Sequence, residues 1–423
     1  MKLISSLLLS IILVACGGGG GSSTAPVVNS APVVLNNVST TITIPTTLGI
    51  GHATGIIPYD INHDGITDLI FTPSGPAGGD LPAFATVNQN NSMVLETNGT
   101  WGTVITTGFV KDWLIKDLNN DGIVDLAWVD HGAENSYFEF GSNVELLSNG
   151  NSLIYNQLPG GKAFWHGLAY ITNSITHSVD LLVADFHQYI NYYTNSGTGS
   201  FTLSTIPLNN DFPCDSPGAV ATMKMQDGST AVIAGTCVAD ALYSYHLNVY
   251  KLINGSLVIQ PTYTPFYNQN VGAFEIITGD FFHQGYDDVL VLLENGTATR
   301  TAMYFQQVNG QLIDKTNEKL SAISQLITIP DKIVAFDVNG DGYSDLIGFG
   351  YQNNLYTNGA GIFLNDGHNH FTSYQYGGSS VNNTIQIPMF STNSDGSWKK
   401  LIGLYGVSTP NTNVLQIVSW LSN

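Results

Sequence analysis

A nine-residue pattern occurs three times in full, and its spacing limits the chain to an array of like units. The copies are Asp60-Ile61-Asn62-His63-Asp64-Gly65-Ile66-Thr67-Asp68, Asp117-Leu118-Asn119-Asn120-Asp121-Gly122-Ile123-Val124-Asp125 and Asp337-Val338-Asn339-Gly340-Asp341-Gly342-Tyr343-Ser344-Asp345. Each runs on into a short apolar stretch. From 117 to 337 is 220 residues, or four steps of 55. Worn copies stand where those steps fall. They start at Thr172 (keeping Asp180), Met223 (Asp227, Gly228) and Asp280 (Gly285, Asp288), and a last one starts at Ser391 (Asn393, Asp395, Gly396). The seven starts lie 51 to 57 residues apart.

A second landmark keeps phase with the first. Turn signals flanked by alternating apolar residues occur at Asn90-Asn91, Asn149-Gly150, Gly197-Thr198-Gly199, Asn254-Gly255, Asn309-Gly310 and Asp366-Gly367. Asn-Gly and Asp-Gly are strong two-residue hairpin signals. Each repeat therefore reads as strand A, acidic loop, strand B, variable loop, strand C, tight turn, strand D. Four-stranded antiparallel units at this period predict an all-β fold, a seven-bladed β-propeller over residues 38–423. The seventh repeat ends at Asn423 after three strands, while Val38–Pro45 is an unassigned strand that looks like Phe201–Leu208. The expectation is that residues 38–45 complete blade seven and close the ring, which removes an exposed edge.

The chemistry of the pattern is that of a hard cation. Carboxylate or amide oxygens at positions 1, 3, 5 and 9, with the carbonyl of position 7, suit Ca²⁺. Glycine at position 6 permits the positive φ that wraps the chain. Three Ca²⁺ sites are expected. The first uses Asp60, Asn62, Asp64, Ile66 and Asp68; the second Asp117, Asn119, Asp121, Ile123 and Asp125; the third Asp337, Asn339, Asp341, Tyr343 and Asp345. An EF-hand is excluded, since position 12 is Phe71, Trp128 or Gly348 where that loop needs Glu. An all-protein oxygen cage points to a hairpin clamp, not to catalysis.

With these residues in view, the chain resembles the FG-GAP (VCBS) repeat proteins, which share a propeller with the N-terminal domain of integrin α-chains. The resemblance covers residues 38–423 and is specific in the three intact copies. It implies the fold and the metal, and it does not imply integrin-like adhesion.

Residues 1–15 form an apolar run behind Lys2, too short to span a bilayer, and read as a secretory signal. Their end, Leu13-Val14-Ala15-Cys16, resembles the lipobox of bacterial lipoproteins, which implies lipidation of Cys16; an ordinary signal with a chance cysteine is the alternative. Residues 16–37 would then be a Gly/Ser-rich tether. The same resemblance, with no Asp after the cysteine, implies a bacterial outer-membrane lipoprotein, periplasmic or surface-exposed. Cys214 and Cys237 are expected to be bridged in an oxidising compartment, the alternative being two buried thiols.

Twelve Lys and Arg against 32 Asp and Glu give a net charge of −20, which excludes the basic stripe of a nucleic-acid binder. A ligand is expected on the face of long variable loops, opposite the acidic hairpins. Trp101, Trp165, His166, Phe212, Tyr245 and Tyr267 are the candidate contacts, since aromatic rings beside polar side chains suit sugar faces. Packing between blades is the competing role for each ring. Three readings follow: a monomeric lipoprotein that binds glycan or protein, a polysaccharide lyase or hydrolase, or a scaffold of an outer-membrane assembly. Asp130, His131 and Glu134 form the one compact acid–base cluster the enzyme reading could use.

Overall fold

The computed structural model describes residues 35–43, 53–73, 83–87, 93–96, 110–130, 141–149, 152–163, 165–173, 175–185, 189–207, 217–236, 247–254, 256–260, 271–295, 299–319, 332–349, 362–368, 371–373, 384–393, 398–408 and 414–421. Among them, 28 strands form seven four-stranded sheets, paired antiparallel throughout. Strand β1 (Leu35–Thr43) stands before the first sheet, which joins β2 (Ala53–Tyr59), β3 (Asp68–Pro73), β4 (Ala83–Val87) and β5 (Met93–Glu96). The second holds β6 (Val110–Lys116), β7 (Asp125–Asp130), β8 (Gly141–Ser148) and β9 (Leu153–Ala163). The third holds β10 (Trp165–Thr172), β11 (Val179–Asp185), β12 (Tyr189–Asn195) and β13 (Phe201–Pro207). The fourth holds β14 (Pro217–Lys224), β15 (Thr230–Thr236), β16 (Leu247–Ile253) and β17 (Ser256–Ile259). The fifth holds β18 (Val271–Gly279), β19 (Asp288–Asn295), β20 (Thr299–Val308) and β21 (Gln311–Asp314). The sixth holds β22 (Lys332–Phe336), β23 (Asp345–Phe349), β24 (Ile362–Asn365) and β25 (Phe371–Ser373). The seventh holds β26 (Thr384–Thr392), β27 (Trp398–Ser408) and β28 (Val414–Leu421), and β1 is its fourth strand.

That last pairing joins the two ends of the repeat array. It runs from Leu35 opposite Leu421 to Thr43 opposite Val414. The strand expected over 38–45 thus starts three residues earlier and stops two before Pro45, a residue that has no N–H to give a ladder. The tight turns read from sequence fall between the third and fourth strands of their sheets, with Asn254, Asn309 and Gly310 at positive φ (52°, 51° and 73°), as the hairpin chemistry requires.

The apolar runs after each acidic loop are continuous because both of their faces are covered. Leu181 and Val183 of β11 pack with Ala127, Val129 and Leu168 toward the second sheet. Their neighbours Leu182 and Ala184 pack with Val220, Val232 and Ala234 toward the fourth. In β19, Val289, Val291 and Leu293 face the fourth sheet while Leu290 and Leu292 face the sixth. A strand alternates its side chains between faces, so burial on both sides removes the polar half of the pattern. Fully burying one such Leu or Val contributes about 1.5–3 kcal/mol.

The first strands of successive sheets touch: β2 with β6, β6 with β10, β10 with β14, β14 with β18, and β18 with β22. Strand β26 touches both β23 and β2. Five of these first strands carry a register shift near the end remote from the acidic loop, at 53/55, 110/112, 165/167, 217/219 and 273/275. Among the described residues, no helix is long and apolar enough to cross a membrane.

Deleting residues 35–43 would leave β28 as an unpaired edge. A fall in melting temperature of roughly 10 °C or more is expected. Deleting 17–30 should leave the melt unchanged; scanning calorimetry on both truncations checks this.

Candidate metal centre

The three intact acidic loops share one backbone path. Position 4 is left-handed (His63 at φ 55°, Asn120 at 59°, Gly340 at 76°), and so is position 6 (Gly65 at 87°, Gly122 at 85°, Gly342 at 89°). Asn and His tolerate the first of these better than most residues do. A Cβ on Gly65 or Gly122 would meet nothing, so glycine is needed there for its φ alone; on Gly342 it would lie 2.9 Å from His283 Nδ1.

Side-chain oxygens gather the N–H groups on the inside of the turn. Asp60 accepts from the N–H of Asp64 (Oδ1, 3.1 Å) and of Gly65 (Oδ2, 2.9 Å). Asn62 Oδ1 accepts from Asp64 N–H at 3.0 Å, and Asp64 Oδ1 from Ile66 N–H at 3.0 Å. The sixth-sheet loop repeats this set with Asp337, Asn339 and Asp341. In the second loop, Asp117 Oδ2 takes Gly122 N–H at 2.9 Å, but Asp117 Oδ1 is buried without a partner.

Position 9 does something the sequence reading did not foresee. Asp125 is fully buried, and its Oδ2 accepts from Leu118 N–H at 2.7 Å while Oδ1 accepts from Ser148 N–H at 2.7 Å. Asp345 does the same for Val338 (2.8 Å) and Asn365 (2.6 Å). One carboxylate thus ties the acidic loop to the tight turn at the end of the third strand. Asp180 and Asp288 keep half of this device in worn loops, accepting from Asn195 N–H and Gln307 N–H, each at 2.8 Å.

The turn residue so held then reaches the preceding sheet. Asn195 Nδ2 donates to Leu118 O at 2.7 Å, Asn365 Nδ2 to Phe281 O at 2.7 Å and Gln307 Nε2 to Lys224 O at 3.2 Å. Each acceptor is position 2 of the neighbouring loop. Ser148 plays the part by pairing its hydroxyl with His63 Nε2 at 2.8 Å. Sequence reasoning missed these residues, although a signal exists in the second, third and sixth sheets, where a polar residue (Ser148, Asn195, Asn365) ends the third strand just before the turn.

The loops are electrostatically unfinished. Burial pushes Asp125 up to about 7, with Asp121 and Asp117 adding to the shift. Asp345 is likewise pushed up to about 7 by burial, with Asp341 and Asp337 adding. Asp60 is raised by burial, and Asp64 adds to that. Among the described residues, no three His, Cys, Asp or Glu side chains converge on one metal-sized point. Position 9 faces backbone amides, which leaves the acids of positions 1 and 5, the Asn oxygen of position 3 and the carbonyl of position 7. That donor set, hard and all oxygen, fits Ca²⁺, and the orphaned Asp117 Oδ1 is an oxygen still short of a partner.

Of the candidate ligand contacts, Trp165 and His166 lie among the described residues. Trp165 and His166 open β10, with His166 at its register shift. Trp101, Phe212, Tyr245, Tyr267, Cys16, Cys214, Cys237, His131 and Glu134 lie outside the described residues, and Asp130 ends β7. A cavity of about 620 Å³ lies among the first strands, with Asp112, Trp113, Tyr170, Lys224, Glu275 and Trp398 in its wall.

No family model matches the chain, and no curated protein matches it. In fold it is similar to AofleA from Arthrobotrys oligospora, at 9% identity over 92% of this chain and 94% of that one, with a TM-score of 0.43. It is also similar to BBS1N in a complex with ARL6DN, at 12% identity over 92% of this chain and 98% of that one, with a TM-score of 0.47. Neither likeness carries a ligand or a site across.

Two outcomes follow. Asp125→Ala strands two buried N–H groups and should cost on the order of 3 kcal/mol in urea unfolding. The raised carboxylates give the pH dependence its sign. A folded-state pKa near 7 for Asp345, against about 3.9 unfolded, favours the folded state at low pH, and that advantage is lost as pH rises through about 7. In chelator, the melting temperature should therefore rise on acidification from about pH 8 to about pH 5, and Asp345→Asn should flatten the rise.

Proposed function

We propose that the chain is a lipid-anchored, calcium-stabilised propeller of seven blades, closed by β1 in the seventh, that binds glycan or protein through the connections opposite its acidic hairpins. The seven sheets of like order and the pairing of β1 with β28 support the ring. So do the bonds of the seventh sheet to the first loop, where Thr67 N–H donates to Phe390 O at 2.9 Å and Thr392 Oγ1 to Asp60 Oδ2 at 3.0 Å.

Calcium, when bound, would supply positive charge to Asp60, Asp64, Asp117, Asp121, Asp337 and Asp341, which no lysine among the described residues bridges. Asp60, Asn62, Asp64 and the Ile66 carbonyl would hold the first ion, and their counterparts in the second and sixth loops the others. Position 9 would orient each loop against its tight turn and add a lone pair at most. The orphaned Asp117 Oδ1 is the single observation that carries the metal.

The binding role rests on a division of labour. In the second, third, fifth and sixth sheets, acidic loops and tight turns share one end and are tied there by hydrogen bonds within and between sheets. The connections at the other end include 131–140, 237–246 and 350–361, whose sequences hold Tyr137, Tyr243, Tyr245, Tyr351 and Tyr356 together with Asn, Asp and His. Rigid sheets with long connections usually place recognition on the connections.

Elemental analysis of the purified protein should find three calcium ions, and Asp64→Ala, Asp121→Ala and Asp341→Ala should each remove one. A glycan array and a protein pull-down with the calcium-loaded chain test the binding face. Loss of a captured ligand on Tyr245→Ala, with calcium count and melt unchanged, is the expected result.

A further inference from the structure

The worn loops are not simply intact loops with oxygens missing. In the fourth sheet, position 5 is Asp227, and Lys251 Nζ lies 2.7 Å from its Oδ2 while Ser229 N–H donates to its Oδ1 at 3.0 Å. The lysine, with Ser229 behind it, holds the Asp227 carboxyl well below the usual carboxylate range. In the fifth sheet, Asp280 accepts from Gln284 N–H (2.6 Å) and Gly285 N–H (2.7 Å), as position 1 does in the intact loops. Position 3 there is Phe282, which has no oxygen to offer. Gln284 at position 5 turns its Nε2 onto Asp288 Oδ2 at 2.9 Å, and the Tyr304 hydroxyl donates to the same oxygen. In the third, Asp180 Oδ2 receives the Tyr192 hydroxyl at 2.6 Å and Asn173 Nδ2 at 3.4 Å.

The intact loops contrast with this at both positions: at position 9, Asp125 and Asp345 accept from backbone N–H groups where Asp180 and Asp288 take a tyrosine hydroxyl. Asp64, Asp121 and Asp341 receive backbone N–H groups and the neighbouring Asn amide, and no lysine or tyrosine among the described residues reaches them. We propose that the third, fourth and fifth loops have replaced the divalent ion by donors of the chain itself, so that ion withdrawal loosens only the sector of the first, second, sixth and seventh sheets. This rests on the calcium reading of the intact loops.

The sector contains the seam. Asp60, a proposed ligand, accepts from Thr392 of the seventh sheet, and Thr392 N–H donates to Gly65 O at 3.0 Å. The seventh sheet is where the chain ends pair. The third to fifth sheets are joined by bonds with no ion in them: Thr222 Oγ1 donates to Tyr170 O at 2.8 Å and Thr278 Oγ1 to Thr222 O at 2.6 Å.

Hydrogen exchange on the full chain, with calcium and with chelator, tests the division. With three ions bound, chelation should speed exchange in β1–β9 and β22–β28 by roughly tenfold or more and leave β10–β21 within twofold. Three ions with uniform acceleration would overturn the inference and leave the calcium reading standing. An ion count of zero would remove both. Two variants probe the replacement itself. Phe282→Asn with Gln284→Asp and Tyr304→Phe should raise the ion count from three to four; a count that stays at three counts against replacement. Lys251→Met should lower the melting temperature equally in calcium and in chelator, and a loss confined to calcium would contradict it.

Discussion

A buried aspartate with both oxygens hydrogen-bonded to main-chain amides holds this molecule's repeated unit together. Burying a carboxylate is unfavourable unless charge-assisted bonds compensate, and two bonds of about 2.7 Å to amides from different turns do so here. Asp125 and Asp345 thereby fix the acidic loop against the tight turn of the same sheet. Because the turn residue next bonds to the preceding loop, Ser148 to His63 Nε2 and Asn365 to Phe281 O, each of these staples also sets the spacing between sheets. The fourth loop, with Ala231 at position 9, lacks the staple and relies on Lys251 and on Gln226 N–H donating to Gln307 Oε1. In the second and sixth sheets, loop shape, sheet pairing and sheet-to-sheet contact are thus coupled through one side chain.

Much of the architecture was readable from residues alone, for a physical reason. Acidic loops and Asn-Gly turns are local features whose residue types are dictated by φ and by oxygen count, so their spacing marks strand ends directly. The paired ends of the array followed from counting strands, since a three-stranded last unit leaves an edge that Val38–Pro45 could fill. What stayed hidden was the use of polar residues across units. Nothing in Asn195 or Gln307 as letters says that they bond to Leu118 or Lys224, because that contact depends on how neighbouring sheets lie. Position 9 was read as a metal ligand, since a carboxylate in an acidic loop looks the same whether it faces an ion or an amide.

The charge of the chain acquires a local meaning at the loops. An excess of 20 negative charges in a protein with only 12 Lys and Arg leaves few internal counterions. The structure places one of these, Lys251 of β16, against Asp227 of a loop that lacks the full oxygen set. Where no such cation stands, burial and like charge raise Asp125 and Asp345 together. Both acids are thereby harder to ionise than a free carboxyl, so the stability they contribute varies with pH.

The register shifts at the far ends of β2, β6, β10, β14 and β18 have a separate consequence. A bulge inserts a residue that the partner strand does not match, so that residue is released from the ladder. Thr54, Lys111, His166, Gly218 and Phe274 occupy these skipped positions, and they share no chemistry. Five first strands thus each carry, at the end away from the acidic loops, one residue whose type the strand ladder does not dictate.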